Sequence, residues 1–320
     1  MHAVMFERFG GAEVLQLREI AEPRPEAGQL QVKVSFASLN PVDFKLREGL
    51  FAFIGKPRRP AITGKDFAGR ISAIGTGVSG FEVGQRVFGS LDPMPGTGSC
   101  AETIVAGLDR LALTPENVSD EIAACLPVAS GTALQALTTI AGLRAGQRVL
   151  ITGASGGVGS SAVQIAHSLG AHVVGVCSTA NVEYVRSIGA DEVIDYRVGD
   201  WRARSETYDV IFDAAGKSSY FASHRFLTPA GCYLNTFPTP LMFLTAPCVN
   251  LLSRQRCVPF MLKTSRAQLD ELGRLASNGV LRPRIAQTVE LDGVAEAQRA
   301  MAAGRVHGKV CVRVTGQATT

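Results

Sequence analysis

The sequence predicts an α/β chain in two parts, a β-rich, barrel-like domain and a doubly wound parallel sheet. Residues 1 to about 120 break into short alternating apolar runs punctuated by Gly and Pro. From about residue 123, apolar strands alternate with segments of helical spacing. The length of 320 residues is about twice the roughly 150-residue prior for one domain.

In the first part, residues 30–37, 69–75 and 83–89 read as strands. In the second, 148–152 is a continuous apolar strand followed by a Gly-rich turn. Val158, Ala162, Ile165, Ala166 and Leu169 then fall at helical spacing, and 172–177 is the next strand. A short helix over 181–188, strands at 192–195 and 208–213, a helix near 218–227 and a strand at 231–235 complete the set. Beyond Phe260 come helices near 265–277 and 294–301 and a last apolar strand at 309–314. That strand needs a sheet to join and is placed back in the N-terminal domain. The expected division is therefore 1–122 with 261–320, and 123–260.

Net charge is +4 and charged residues make up 19%, against roughly 25% in ordinary soluble proteins. The deficit is local: 34 residues between Arg148 and Glu183 and 22 from Ile122 to Leu143 carry no charge. Both are long enough to span a bilayer. Gly153, Gly156, Gly157 and Gly159 break the first, and Pro127, Ser130, Gly131, Thr132 and Gln135 the second. The composition excludes a disordered chain, a basic nucleic-acid binder and a disulfide scaffold. Seven cysteines without a C-x-x-C pair suggest free thiols in a reducing compartment. No signal-peptide core opens the sequence, so a cytoplasmic location is expected.

The turn Ala154-Ser155-Gly156-Gly157-Val158-Gly159 reads A-x-G-x-x-G between a buried strand and an amphipathic helix. Small residues there let backbone N–H groups approach a pyrophosphate at the positive end of the helix. A P-loop is excluded by the missing Gly-Lys-Ser/Thr. An NAD site usually has Asp or Glu at the end of the second strand. Here that end is Cys177-Ser178-Thr179-Ala180-Asn181, and no acid occurs from 149 to 182. Hydroxyls and an amide can donate to a 2′-phosphate that a carboxylate would repel, so NADP(H) is favoured. Ser178 and Thr179 also suit a helix cap.

These residues, with Asn40-Pro41-Val42-Asp43-Phe44-Lys45, Gly64-Lys65-Asp66-Phe67-Ala68-Gly69, residues 124–129, Gly189-Ala190-Asp191-Glu192-Val193-Ile194-Asp195-Tyr196 and Gly308-Lys309-Val310, carry a resemblance. The chain resembles, nearly end to end, the zinc-independent quinone oxidoreductase branch of the medium-chain dehydrogenase/reductase superfamily. The resemblance implies a GroES-like catalytic domain split around a Rossmann domain, and a homodimer. It implies that Ser178, Thr179, Asn181 and Tyr196 surround the 2′-phosphate and that Thr132 lies near the nicotinamide. Phe237, Phe260, Met261 and Lys309 become candidates along the nicotinamide ribose and substrate. For Phe260 and Met261 ordinary core is an equal alternative.

Zinc-dependent relatives hold their metal with Cys and His. Lys65 stands here in place of the imidazole, Asn40 in the region of the first Cys, and no thiolate occurs from 127 to 132. Zinc needs three or four N, S or O ligands, so no metal is expected. Without that Lewis acid the fitting acceptor is already polarised, a quinone or an α,β-unsaturated carbonyl. Asn40, through its NH₂, is the first candidate donor to the developing oxyanion, and Lys45 the second. All five tyrosines lie beyond residue 183, so that domain offers none. A capping Asn40 and a solvated Lys45 are the structural alternatives. The rival functions are a 2-enoyl thioester reductase, with Arg58, Arg59, Arg254, Arg256 and Lys263 as a basic patch, and an NADPH-binding regulatory protein.

Overall fold

The computed structural model describes residues 1–49, 60–92 and 96–314. The N-terminal strands are β1 (His2–Phe6), β2 (Gln16–Glu19), β3 (Gln29–Leu39), β4 (Ala61–Ile62), β5 (Asp66–Ile74), β6 (Arg86–Ser90), β7 (Thr103–Gly107) and β8 (Leu111–Leu113). The middle strands are β9 (Arg148–Thr152), β10 (His172–Cys177), β11 (Glu192–Asp195), β12 (Tyr208–Asp213), β13 (Leu227–Asn235) and β14 (Arg256–Pro259). Two close the chain, β15 (Ile285–Glu290) and β16 (Lys309–Arg313). The helices are α1 (Pro41–Arg47), α2 (Asp120–Ala124), α3 (Pro127–Leu134), α4 (Gly157–Ser168), α5 (Val182–Ser187), α6 (Tyr220–Ser223), α7 (Pro240–Leu252), α8 (Arg266–Ser277) and α9 (Val294–Ala302).

One unit comprises Met1–Val128 and Thr264–Thr320, the other Ala129–Lys263. The crossings thus fall inside α3 and after Lys263 rather than at 122 and 260, and Met261 belongs to the second unit.

In the first unit β3 is the hub. It pairs antiparallel with β5, β7 and β16, and β16 pairs parallel with β15. Its sequence alternates apolar and polar residues, and Leu30, Val32, Val34, Ala37 and Leu39 enter the core with Phe67, Val87, Leu111, Val310 and Val312. The C-terminal strand returns to the N-terminal sheet, as its apolar run requires. Arg47, buried on α1, donates through Nε to Gln298 Oε1 at 3.0 Å. Gln298 in turn donates to Thr63 Oγ1 at 2.8 Å, tying α9 to the segment before β5.

The second unit is a six-stranded sheet in the order β11-β10-β9-β12-β13-β14, with every pairing parallel. Strands buried on both faces read as unbroken apolar runs, which explains β9 and β10. The order reverses between β9 and β12, and ligands of such sheets bind beyond the strand ends at that switch. Among the described residues no helix is long and apolar enough to cross a membrane.

Candidate functional site

The chain leaves β9 through Gly153, whose φ of +64° suits glycine. Gly156 then caps α4 with no side-chain cap, and the first turn holds no acid. The N–H groups of Gly157, Val158 and Gly159 therefore open the helix without i−4 partners, at its positive end. A Cβ on Gly159 would lie 2.1 Å from Gly153 O, so the helix presses on the turn's own backbone. Two predicted members play a different part. Ala154 is buried and donates its N–H to Val176 O at 3.0 Å, and Gly156 donates to Gly153 O at 2.9 Å. They shape the cradle, with the buried Ser155 between them. The residues present fit a dinucleotide pyrophosphate.

At the end of β10, Asn181 Nδ2 donates to Ser178 Oγ at 3.0 Å, so both predicted polar groups face each other. Parallel pairing sets Cys177 opposite Asp195. The Thr179 hydroxyl and the Arg197 N–H, the latter at 2.9 Å, hold the Asp195 carboxyl below its usual range. One carboxylate therefore lies beside Thr179 at the end of β10. The acid comes from the neighbouring strand, beyond the stretch 149–182. Tyr196 is exposed, with the Arg197 guanidinium 5.7 Å from its ring centre.

The sequence reading missed the buried carboxylate at the end of β12. Asp213 accepts from Thr152 Oγ1 at 2.5 Å, from the Ser218 N–H at 2.6 Å and from Asn235 Nδ2 at 3.3 Å. It fastens three strand ends together at the switch point. A carboxylate closing the apolar run 208–213 was the available signal. Phe237 donates its N–H to Asn235 Oδ1 at 2.6 Å and lies over Gly216. Phe260 is core, its ring 6.5 Å from Phe212, whereas Met261 is exposed and its carbonyl accepts from Gln135 Nε2. Thr132 is half-buried on α3.

In the first unit, β3 ends at Leu39 between the starts of β5 and β16. That junction gathers Asn40, Asp66 and Lys309, all buried. Asn40 Nδ2 donates to Asp66 Oδ2 at 2.8 Å, and Asn40 Oδ1 accepts from Lys309 Nζ at 2.6 Å. Lys309 Nζ also reaches Leu39 O at 3.2 Å and lies 3.7 Å from Asp66 Oδ2. Burial pushes the Asp66 carboxyl up, opposed by Lys309 and by the bond from Asn40. Asp43 accepts the Asn40 N–H at 2.7 Å, closing a capping box at the start of α1. Its Oδ1 has no hydrogen-bond partner, and burial pushes its carboxyl up to about 7. Lys65 Nζ donates to Thr97 O at 2.8 Å. Lys45 is half-buried on α1, and burial lowers its pKa.

Residues 26–117 match the alcohol dehydrogenase GroES-like domain, and 188–312 the zinc-binding dehydrogenase family. A chloroplast envelope quinone oxidoreductase homolog of Arabidopsis thaliana is 32% identical over 98% of both chains. The chain belongs to the medium-chain dehydrogenase/reductase superfamily. Its likeness there is to the quinone oxidoreductase branch. A trans-enoyl reductase of Aspergillus terreus is 34% identical over 89% of this chain and 86% of its own. The quinone oxidoreductase of Coxiella burnetii superposes with a TM-score of 0.91 at 31% identity, covering 98% of this chain and 99% of its own.

Zinc, which one family description names, does not fit this member of the superfamily. Among the described residues no group of three or more His, Cys, Asp or Glu could hold a metal ion. The ammonium of Lys309 already neutralises the carboxylate that faces Asn40, and burial and Asp43 hold the Cys100 thiol well above its usual range. A metal-binding thiolate would have to form against both. Of the basic patch weighed above, Arg58 and Arg59 lie outside the described residues. Arg254 and Arg256 are exposed, and Arg256 donates to Ile140 O.

Proposed function

We propose that the chain is an NADPH-dependent reductase that delivers hydride to a quinone or an α,β-unsaturated carbonyl. The observation that carries this reading is the Asn40 amide held in a buried polar network, in the region where the resemblance puts a metal ligand of zinc-dependent relatives. The bound nicotinamide supplies hydride, and the acceptor takes up one hydride and one proton. The Gly157, Val158 and Gly159 N–H groups bind the pyrophosphate. Ser178, Thr179, Asn181 and Tyr196 form the 2′-phosphate rim, with the Arg197 guanidinium countering the Asp195 carboxylate beside them, and Thr132 and Phe237 flank the nicotinamide. Asn40 donates to the oxygen that gains charge, with Lys45 as a second donor. Seven free thiols support a reducing compartment, the cytoplasm.

The reading predicts absorbance loss from NADPH with quinones or enones, faster than from NADH and unchanged by a chelator. Turnover of enoyl thioesters alone would favour the second reading, which the Aspergillus relative supports. NADPH binding with no acceptor reduced would leave a regulatory protein.

A homodimer belongs to the same proposal. Leu241, Phe243, Leu244, Leu251 and Leu252 of α7 are exposed beside β14, the end strand of its sheet. An apolar face of that kind needs a partner, and a second copy supplies a matching one about a two-fold axis. Leu244→Asp is expected to halve the mass in sedimentation equilibrium, to 33.8 kDa. A wild-type chain already at that mass would refute the dimer.

A further inference from the structure

We propose that Lys309, together with Asp66, is a positioning residue that fixes the side-chain amide of Asn40 in one orientation. The inference rests on the reading of Asn40 as oxyanion donor. An amide has two ends of nearly equal shape, and only its partners decide which way it points. Here the partners differ in kind. Lys309 Nζ, which has donors only, stands 2.6 Å from Oδ1, and Asp66 Oδ2 stands 2.8 Å from Nδ2. A flipped amide would set donor against donor on one side and acceptor against acceptor on the other. The lock leaves one Nδ2–H uncommitted to Asp66, always on the same side, for the oxygen that becomes negative.

Two further features separate this role from cofactor binding. Lys309 is only 4% exposed, and its Nζ is engaged with Leu39 O and Asn40 Oδ1, both from the end of β3. Asp66 is fully buried and accepts in addition from Ser38 Oγ at 3.4 Å and from the Val128 N–H at 3.2 Å. The anchor is thus held from two separate segments, the end of β3 and the start of α3, and the lysine's charge answers it from β16. Preorganised donors of this sort work because they need no reorientation as charge develops.

The test combines kinetics with the amide's own signals. Lys309→Met is expected to lower kcat for quinone or enone about 100-fold, the scale of one oxyanion donor. NADPH affinity, read by quenching of cofactor fluorescence, should stay within about twofold, and Lys309→Arg should restore most of kcat. Asn40→Ala should cost about the same, and the double variant no more than either single one. Multiplying losses, or weakened NADPH binding with kcat intact, would overturn the proposal.

Selectively ¹⁵N-labelled asparagine supplies the second measurement. The Asn40 amide proton bonded to Asp66 should exchange slowly in the wild-type chain. Exchange at the rate of an exposed asparagine would overturn the lock, whether or not any acceptor is reduced and whether or not the Met variant folds. A wild-type chain with a locked amide but no turnover would sink the functional reading alone.

Discussion

Gly159→Ala is expected to abolish nucleotide binding while leaving the first unit folded. The added Cβ would sit 2.1 Å from Gly153 O and 2.9 Å from the Ala154 Cα, both backbone. Neither can rotate aside, so the strain of about 3 kcal/mol or more must move α4 or the turn. Ala154 is pinned to Val176 by its N–H, and Thr152 to Asp213, so the turn resists and the helix gives way. The displaced element carries the three N–H groups that open α4. Titration with NADPH, followed by fluorescence, should show a loss of at least about 100-fold, the size expected when a charge-assisted donor set is misplaced. Unchanged affinity would mean that the pyrophosphate is held elsewhere. Hydrogen exchange along β3 and β5 should match the wild type, because the strain lies in the other unit.

What could be read from the sequence followed periodicity and spacing. The strands β9, β10 and β12 were legible because parallel strands buried on both faces are unbroken apolar runs. The return of β16 to the first sheet followed from an apolar strand without a neighbour in sequence. Elements with mixed or absent signals were not legible. Helix α7 has apolar residues all round and a proline at 247, so no face stood out. The four residues of β14 and the mostly half-exposed β15 gave no clear pattern either.

Site residues divide in the same way. The glycine turn is contiguous, and its geometry is local. Asp195 and Asp213 reach their sites through strand register, and a scan confined to 149–182 passes over both. Asn40 entered as a candidate donor through the resemblance and its side-chain NH₂. That its amide lies between Lys309 and Asp66 depends on contacts 269 and 26 residues apart in sequence. Only the pairing of β3 with β16 and β5 makes those contacts neighbours.

Asp43 gives the chain a pH-dependent stability of known sign. Its folded carboxyl titrates at about 7, against 3.8 when unperturbed, because burial outweighs the bond from the Asn40 N–H. Between those values the folded chain holds a proton that the unfolded chain has lost. The contribution is therefore fully present below about pH 4 and is lost as pH rises toward 7. At 1.36 kcal/mol per unit, the difference amounts to about 4 kcal/mol as an upper bound. Asp66, also raised, acts in the same direction. Lys65, lowered by burial, acts at the alkaline end, where it favours the folded chain as pH rises. Asn at position 43 keeps an oxygen for the Asn40 N–H and carries no charge to bury. Its own amide hydrogens meet the space around the unpartnered Oδ1, which offsets part of the gain. Asp43→Asn is thus expected to be about 2 kcal/mol more stable than wild type at pH 8 and to lose that advantage by pH 4. Urea unfolding followed by circular dichroism at the two pH values measures both. An advantage independent of pH would show that packing, and not the buried charge, sets the difference.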